Sequence, residues 1–311
     1  MRATGTGAMP GDDLADALRF TCSELSIPFL PDLPARGQHA AMAGRALAVT
    51  DELDADIRNG RWRLTGGASR DQRRAESVLG HDLDVLEEHG VNADVFKIQI
   101  AGPLSLAATI ELPRGGLVLG DHGASRDLAQ AMAAGIESLI GRVRARIGSA
   151  ELIVQVDEPH APAVMAGTVS TVSGYAKHTA FDETRTDALL RAITAAIGQA
   201  GATPAVHCCA PSLPVDVFIG AGFSAIAFEP LTADDRWAQA LDKGVALWPQ
   251  VEPIQDSARR RLETFVGALG FSLESVHEQL VITPPCGLDS ETLHDAKTAL
   301  SRTQQLADSV P

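Results

Sequence analysis

The 311-residue chain has few aromatic residues (4%), only four cysteines, no long unbroken apolar run and a shortage of cationic charge. Each shortage excludes something. Without an apolar stretch of about 20 residues there is no candidate membrane-spanning helix. Lys and Arg number 26 against 40 Asp and Glu, a formal charge of −14. That balance suits neither a phosphate backbone nor an anionic membrane surface, so nucleic acid and membrane are set aside as partners. Cys22, Cys208, Cys209 and Cys286 are too sparse for a disulfide scaffold in a chain this long. Three of them stand beside Pro, Gly or His near the ends of apolar runs, a placement that favours metal binding or catalysis. Met1–Asp13 lacks the basic stretch and apolar core of a secretory signal, and a cytoplasmic location is expected. What is present, 45% hydrophobic and 21% charged residues, is apolar enough to fold around a core.

Short apolar runs alternate with longer amphipathic stretches, the pattern of βα repetition and a parallel sheet. The expected strands are Ala3–Ala8, Ile27–Leu30, Phe96–Ala101, Leu152–Val156, Pro204–Cys208, Ala225–Phe228, Val245–Pro249 and Leu280–Thr283. Between them, Leu128, Met132, Ile136, Leu139, Ile140, Val143 and Ile147 recur at helical spacing, as do Leu190, Ile193 and Ile197, then Leu293, Ala296 and Leu300. Eight strands with intervening helices predict an α/β fold, a single-domain (β/α)8 TIM barrel over residues 1–311. A dinucleotide-binding fold is disfavoured, because Gly5-Thr6-Gly7-Ala8-Met9-Pro10 lacks the third glycine and runs into proline. Leu33–Ser77 is long, charged and weakly periodic, and reads as a helical insertion or lid after the second strand.

Three late strands end in groups able to bind a soft or borderline metal. Side chains alternate along a strand, so in Val206-His207-Cys208-Cys209 the imidazole and the second thiol share a face while Cys208 points away. Glu229 directly follows Ala225–Phe228, and Cys286 follows Leu280–Thr283. In a barrel the C-terminal strand ends converge on one face, where active sites of this fold lie. His207, Cys209, Glu229 and Cys286 would meet there as a tetrahedral zinc set, with the carboxylate the natural ligand to yield its place. Thiolate content argues against magnesium or calcium. Taken singly, a buried cysteine is usually a small hydrophobe and a strand-end carboxylate a helix cap. Their common position at strand ends favours the metal reading. Gly7-Ala8-Met9 and Asp157 end two further strands on the same face, and Asp157 suits a cationic group such as an α-amino group. A carboxylate at a helix start is its plainer alternative.

These segments, in this order, resemble the catalytic C-terminal barrel of the cobalamin-independent methionine synthases. Gly7-Ala8-Met9-Pro10 is similar to that family's opening Gly-Ser-aromatic-Pro turn, and Ala101-Gly102-Pro103-Leu104-Ser105 to its Thr-Gly-Pro-Val-Thr segment. Gln155-Val156-Asp157-Glu158-Pro159 is similar to its Gln-Ile-Asp-Glu-Pro strand end. His207-x-Cys209, Glu229 and Pro285-Cys286-Gly287 follow the order and approximate spacing of its four zinc ligands. The full-length family carries two barrels and this chain has room for one, so it resembles the short, single-barrel form. The resemblance implies transfer of a methyl group to the sulfur of homocysteine, giving methionine. It further implies Zn²⁺ held by His207, Cys209, Glu229 and Cys286, an amino group held by Asp157, and backbone contacts to homocysteine from Gly7-Ala8-Met9.

The departures from the family pattern gather on the methyl-donor side. Where the family has a proton-donating His after the seventh strand, this chain reads Ala246-Leu247-Trp248-Pro249-Gln250. The pterin-stacking Trp is replaced near Thr109, and His160-Ala161-Pro162 stands where an Arg-Glu pair is usual. No side-chain general acid is identified, though His160 or Glu252 are candidates. A missing acid costs roughly 10²–10⁴-fold where the leaving group needs a proton. A methyl-corrinoid, free or protein-bound, leaves without one, so the donor is expected to be either methyltetrahydrofolate or a methyl-corrinoid. The competing readings are a methyltransferase for another thiol acceptor and a catalytically idle, zinc-binding paralogue. Cys22 and Cys208 are read as structural.

Overall fold

The computed structural model describes residues 1–50, 53–229, 231–252 and 257–310. Its strands are β1 (Arg2–Ala3), β2 (Ala55–Arg58), β3 (Arg61–Leu64), β4 (Val95–Ala101), β5 (Glu151–Asp157), β6 (Thr203–Cys208), β7 (Ala225–Phe228), β8 (Ala246–Pro249) and β9 (Val281–Ile282). β4 to β8 form one parallel sheet in chain order. Parallel bridges extend the pairing past both of its edges. On one side, Leu247 pairs with Leu280 and Gln250 with Thr283, and β9 then pairs with β1. On the other, the segment 27–32 pairs with β4 through Phe29 and Lys97, and with the chain beyond β1 through Ala8 and Asp32. The ring closes on eight parallel segments, a (β/α)8 barrel.

All eight expected strands lie on this ring, most within a residue or two of the predicted bounds. The second is the least regular, because Pro28 and Pro31 have no N–H to donate to a ladder. It is tied in by Lys97 N–H to the Pro28 carbonyl and Leu30 N–H to the Lys97 carbonyl.

The helices wrap the ring for the reason their spacing gives. Helix His122–Arg144 opens on Asp121, whose side chain accepts from Ala124 N–H, and buries Leu128, Met132, Ile136, Leu139, Ile140 and Val143 in one line. Gly135 completes that line because the Val49 carbonyl packs onto it. A Cβ there would fall 1.6 Å from the Val49 oxygen. Helix Glu183–Gln199 buries Leu190, Ile193 and Ile197. In helix Leu293–Asp308, Ala296 and Leu300 are buried, but Leu293, at the first helical position, is 40% exposed.

The stretch 33–77 differs from the helical insertion expected. Apart from residues 51 and 52, which lie outside the described residues, it comprises a short 3₁₀ turn, helix Met42–Leu47, the antiparallel pair β2–β3 and the start of helix Arg70–His89. Asn59-Gly60 makes the hairpin: both residues have positive φ (50° and 77°), the conformation a tight two-residue turn demands. Nor does the stretch sit loosely, as a lid would. Asp82 of the long helix, with no exposed surface, accepts two bonds from Arg36 at 2.7 and 2.9 Å and one from Arg45 at 2.5 Å. Arg45 in turn reaches Asp32 at the barrel mouth at 2.6 Å. A bidentate, charge-assisted clamp of this kind fixes orientation as well as distance.

Strand alternation divides the barrel interior into two zones. Ile27, Val95, Ile153, Ala205, Ala225 and Val281, near the starts of their strands, form an apolar cluster with Ala227 and Trp248 from further along β7 and β8. The alanines of β6 and β7 leave room for the Trp248 ring. One or two inward positions further along, the same strands carry Lys97, Gln99, Gln155, Asp157, His207 and Gln250, all buried.

Candidate metal centre

His207, Cys209 and Cys286 each offer a ligand atom, and these atoms lie within 4.8 Å of one another. β6 delivers His207, and Cys209 follows directly after its end, by the parity read from sequence, while Cys208 turns outward into the core with no exposed surface. Burial pushes the Cys208 thiol up to about 12, which keeps it protonated and inert. Cys286 stands on the loop after β9, and its N–H donates to Gln250 Oε1 at 3.3 Å. Glu229 is outside the group of three, but near enough that its charge helps to raise the Cys286 thiol. One imidazole and two thiols in this arrangement form a donor set for a borderline or soft divalent ion.

Both nitrogens of His207 are engaged. Nδ1 lies 2.9 Å from Asp157 Oδ1, its register partner on β5, and Nε2 lies 2.8 Å from the Gln250 amide. Burial alone would lower the imidazole, but hydrogen bonds with Asp157 and Cys209 outweigh it and raise it to about 9. Cys209 is drawn down by hydrogen bonds from Cys286 and His207, and Cys286 is pushed up by the same pairing. Two thiols and an imidazole this close together are groups that a divalent cation would bind with release of protons.

Asp157 therefore serves His207 directly. Its Oδ1 also accepts from Gln155 Nε2 at 2.7 Å, while among the described residues no hydrogen bond reaches Oδ2. One carboxylate thus fixes the orientation of the imidazole through a single oxygen, the arrangement found behind metal-ligating histidines. The Gly7-Ala8-Met9 turn is more committed than its sequence implies. The Gly7 carbonyl and the Met9 N–H both pair with Asp32, and the Met9 side chain is fully buried. Ala8 alone keeps its N–H and carbonyl without backbone partners among the described residues. Gly7, at φ +128°, sits against Gln99, 2.6 Å from where a Cβ would lie.

Glu158 answers a different need. Its carboxylate accepts from the N–H groups of Leu104 and Ser105 and from the Ser105 hydroxyl, capping helix Pro103–Ala107. Burial raises it to about 7 against those three bonds. Gly102 is required beside it, since a Cβ would fall 2.2 Å from Glu158 Oε1. The Gly-Pro and Asp-Glu-Pro segments are thus two halves of one cap.

At the positions that depart from the resembled family, Thr109 and His160 line a common cavity of about 460 Å³ with Trp62 and Arg61 of the hairpin. His160 is half-buried, which lowers its pKa, and its Nδ1 has no hydrogen-bond partner. Glu252 lines a second cavity of about 350 Å³, with Cys286, Glu291, Asp295 and Arg302. Sequence reasoning missed Gln155, Gln250, Asp32 and Lys97. For the two glutamines and the lysine the signal was present: each is a polar residue at an inward position in, or directly after, a largely apolar strand.

No helix among the described residues is long and apolar enough to cross a membrane. No family model matches the chain, and no curated protein matches it. Among solved structures, the chain is similar to 2,3-dimethylmalate lyase, a PEP mutase/isocitrate lyase superfamily member, at 12% identity over 97% of this chain and 83% of that chain, with a TM-score of 0.36. It is also similar to tryptophan synthase subunit alpha from Legionella pneumophila str. Paris, at 13% identity over 76% of this chain and 87% of that chain, with a TM-score of 0.30.

Proposed function

We propose that the protein is a zinc-dependent methyltransferase that moves a methyl group to the thiol of homocysteine, forming methionine. The observation that carries this reading is the convergence of His207, Cys209 and Cys286 at one barrel mouth, with Asp157 orienting the imidazole from behind. His207, Cys209 and Cys286 would hold the zinc, with Glu229 as the exchangeable fourth ligand. Bound zinc supplies the acidity that turns a thiol of pKa ~8.5 into a thiolate at neutral pH. The remaining work falls to the chain. Asp157 Oδ2 would hold the acceptor's ammonium, and the Ala8 N–H, without a backbone partner among the described residues, would take its carboxylate end. Together they aim the sulfur at the methyl carbon.

The donor-side residues favour a methyl-corrinoid over methyltetrahydrofolate. The nitrogen that leaves a folate needs a proton, whereas His160 is kept toward its neutral form by burial. A corrinoid leaves without one.

Zinc analysis of wild type and Cys286→Ser, homocysteine calorimetry, and turnover with each donor test the reading. About one zinc per chain is expected for wild type and far less for Cys286→Ser, with homocysteine binding only to the zinc form. A zinc-loaded protein that ignores homocysteine would redirect the reading to another thiol acceptor or to a non-catalytic zinc protein. Fast turnover with free methyltetrahydrofolate would overturn the corrinoid preference.

A further inference from the structure

Lys97 is fully buried inside the barrel and forms no ion pair within 4 Å among the described residues. Its Nζ donates to Gln99 Oε1 at 3.2 Å and to Gln155 Oε1 at 3.0 Å, and lies 5.0 Å from the centre of the Phe29 ring. Each amide passes the contact on. Gln99 Nε2 donates to Asp32 Oδ1 at 2.9 Å and to the Leu30 carbonyl at 2.7 Å. Gln155 Nε2 donates to Asp157 Oδ1 and to the Thr6 carbonyl, both at 2.7 Å.

An ammonium can only donate and an ionised carboxylate can only accept. A carboxamide wedged between them has one allowed orientation, oxygen toward Lys97 and nitrogen toward the aspartate. Without the ammonium each amide oxygen loses its donor, and the amide is held from its nitrogen side alone, by a main-chain carbonyl and a carboxylate. A buried lysine carries a large desolvation cost, which is a poor way to fill space in a barrel. The two arms reach different targets: the Gln155 arm ends on the aspartate that orients His207, and the Gln99 arm ends on Asp32.

We propose that Lys97 is a positioning residue for the metal centre: it anchors the oxygen end of Gln155, whose nitrogen end holds Asp157 against His207, while the same ammonium anchors Gln99 against Asp32. The metal arm of this proposal rests on the reading of His207, Cys209 and Cys286 as ligands.

The test uses the full chain with Co²⁺ as a spectroscopic stand-in, its affinity measured by chelator competition, and the downfield Nδ1–H proton resonance of His207 recorded on metal-free protein. Lys97→Met and Gln155→Met are each expected to weaken Co²⁺ binding about 10–100-fold, the range for a lost partner behind a metal-ligand histidine. Both should shift the His207 resonance, and the double variant should lose no more than the worse single one. Gln99→Met, which cuts only the other arm, should leave affinity and resonance near wild type; a general loosening of the interior would not produce that asymmetry. If Lys97→Met does not fold, Lys97→Gln replaces it, since a shorter, neutral amide there no longer holds both glutamine oxygens with a charge. A folded Lys97 variant with wild-type affinity, spectrum and resonance would overturn the proposal, as would a silent Gln155→Met. If wild type takes up no Co²⁺, the ligand reading falls, and the His207 resonance alone decides the role of Lys97.

Discussion

The two zones of the barrel interior are built on the same strands and obey opposite rules. At one end Ile27, Val95, Ile153, Ala205 and Val281 pack around Trp248, and nothing charged is present in the cluster. At the other, Lys97, Gln99, Gln155, Asp157, His207 and Gln250 are just as buried, yet each is held by hydrogen bonds with defined donors and acceptors. The first zone tolerates any side chain of suitable volume and yields stability. The second gains little net stability from its bonds, because each replaces a bond to water, but it permits one arrangement only. The division teaches where function can be placed in such a barrel: upon a polar zone that specifies geometry, carried by an apolar zone that supplies cohesion.

That contrast can be broken in four ways. Trp248→Ala should cost about 3–5 kcal/mol of folding stability by opening a cavity, while the folded protein keeps its metal affinity. Chemical denaturation paired with Co²⁺ titration checks it, and a parallel loss of affinity would show the zones to be coupled. Next in size is a pH effect. Burial lowers Lys97 to about 8, against Asp157 and Asp32, which favour its charge. Below pH 8 the lysine is charged in both folded and unfolded chains. Between about pH 8 and its ordinary value of 10.5 the unfolded chain alone binds the proton, so this group makes stability rise with pH. The gain of wild type relative to Lys97→Met across that window should be on the order of 3 kcal/mol. A flat difference would place Lys97 in contact with water. Asp157→Asn should then weaken metal binding about 10–100-fold with little change in the denaturation midpoint. Smallest is Gly60→Ala in the hairpin, about 1 kcal/mol from its positive φ, detectable as a shift in melting temperature with no change at the metal centre.

The strands were legible because a parallel barrel strand, covered on its outer face by helices, reads as a short apolar run with hard edges. Ala225–Phe228 was placed to the residue. The juxtaposition of His207 and Cys209 was equally legible, since it needed only the period-two rule. The interior lysine and glutamines were hidden by attention to the apolar residues around them. In Val95-Phe96-Lys97-Ile98-Gln99-Ile100 the alternation itself marks Lys97 and Gln99 as inward once the barrel is assumed. Asn59-Gly60 was an overlooked hairpin signal. The Arg36, Arg45, Asp32 and Asp82 clamp could not have been read, because it joins residues up to 50 positions apart that no local period relates.

That clamp has a consequence for anyone redesigning the molecule. Arg45 is held between one carboxylate at the barrel mouth and another on the long outer helix, all three sheltered from solvent. Trimming the intervening stretch to a short connector, the usual first step in reducing a barrel to a minimal scaffold, would leave Asp32 and Asp82 as uncompensated anions in a dry setting. The segment behaves as a keystone and not as trim, and a smaller version of this barrel would need both aspartates replaced in the same stroke.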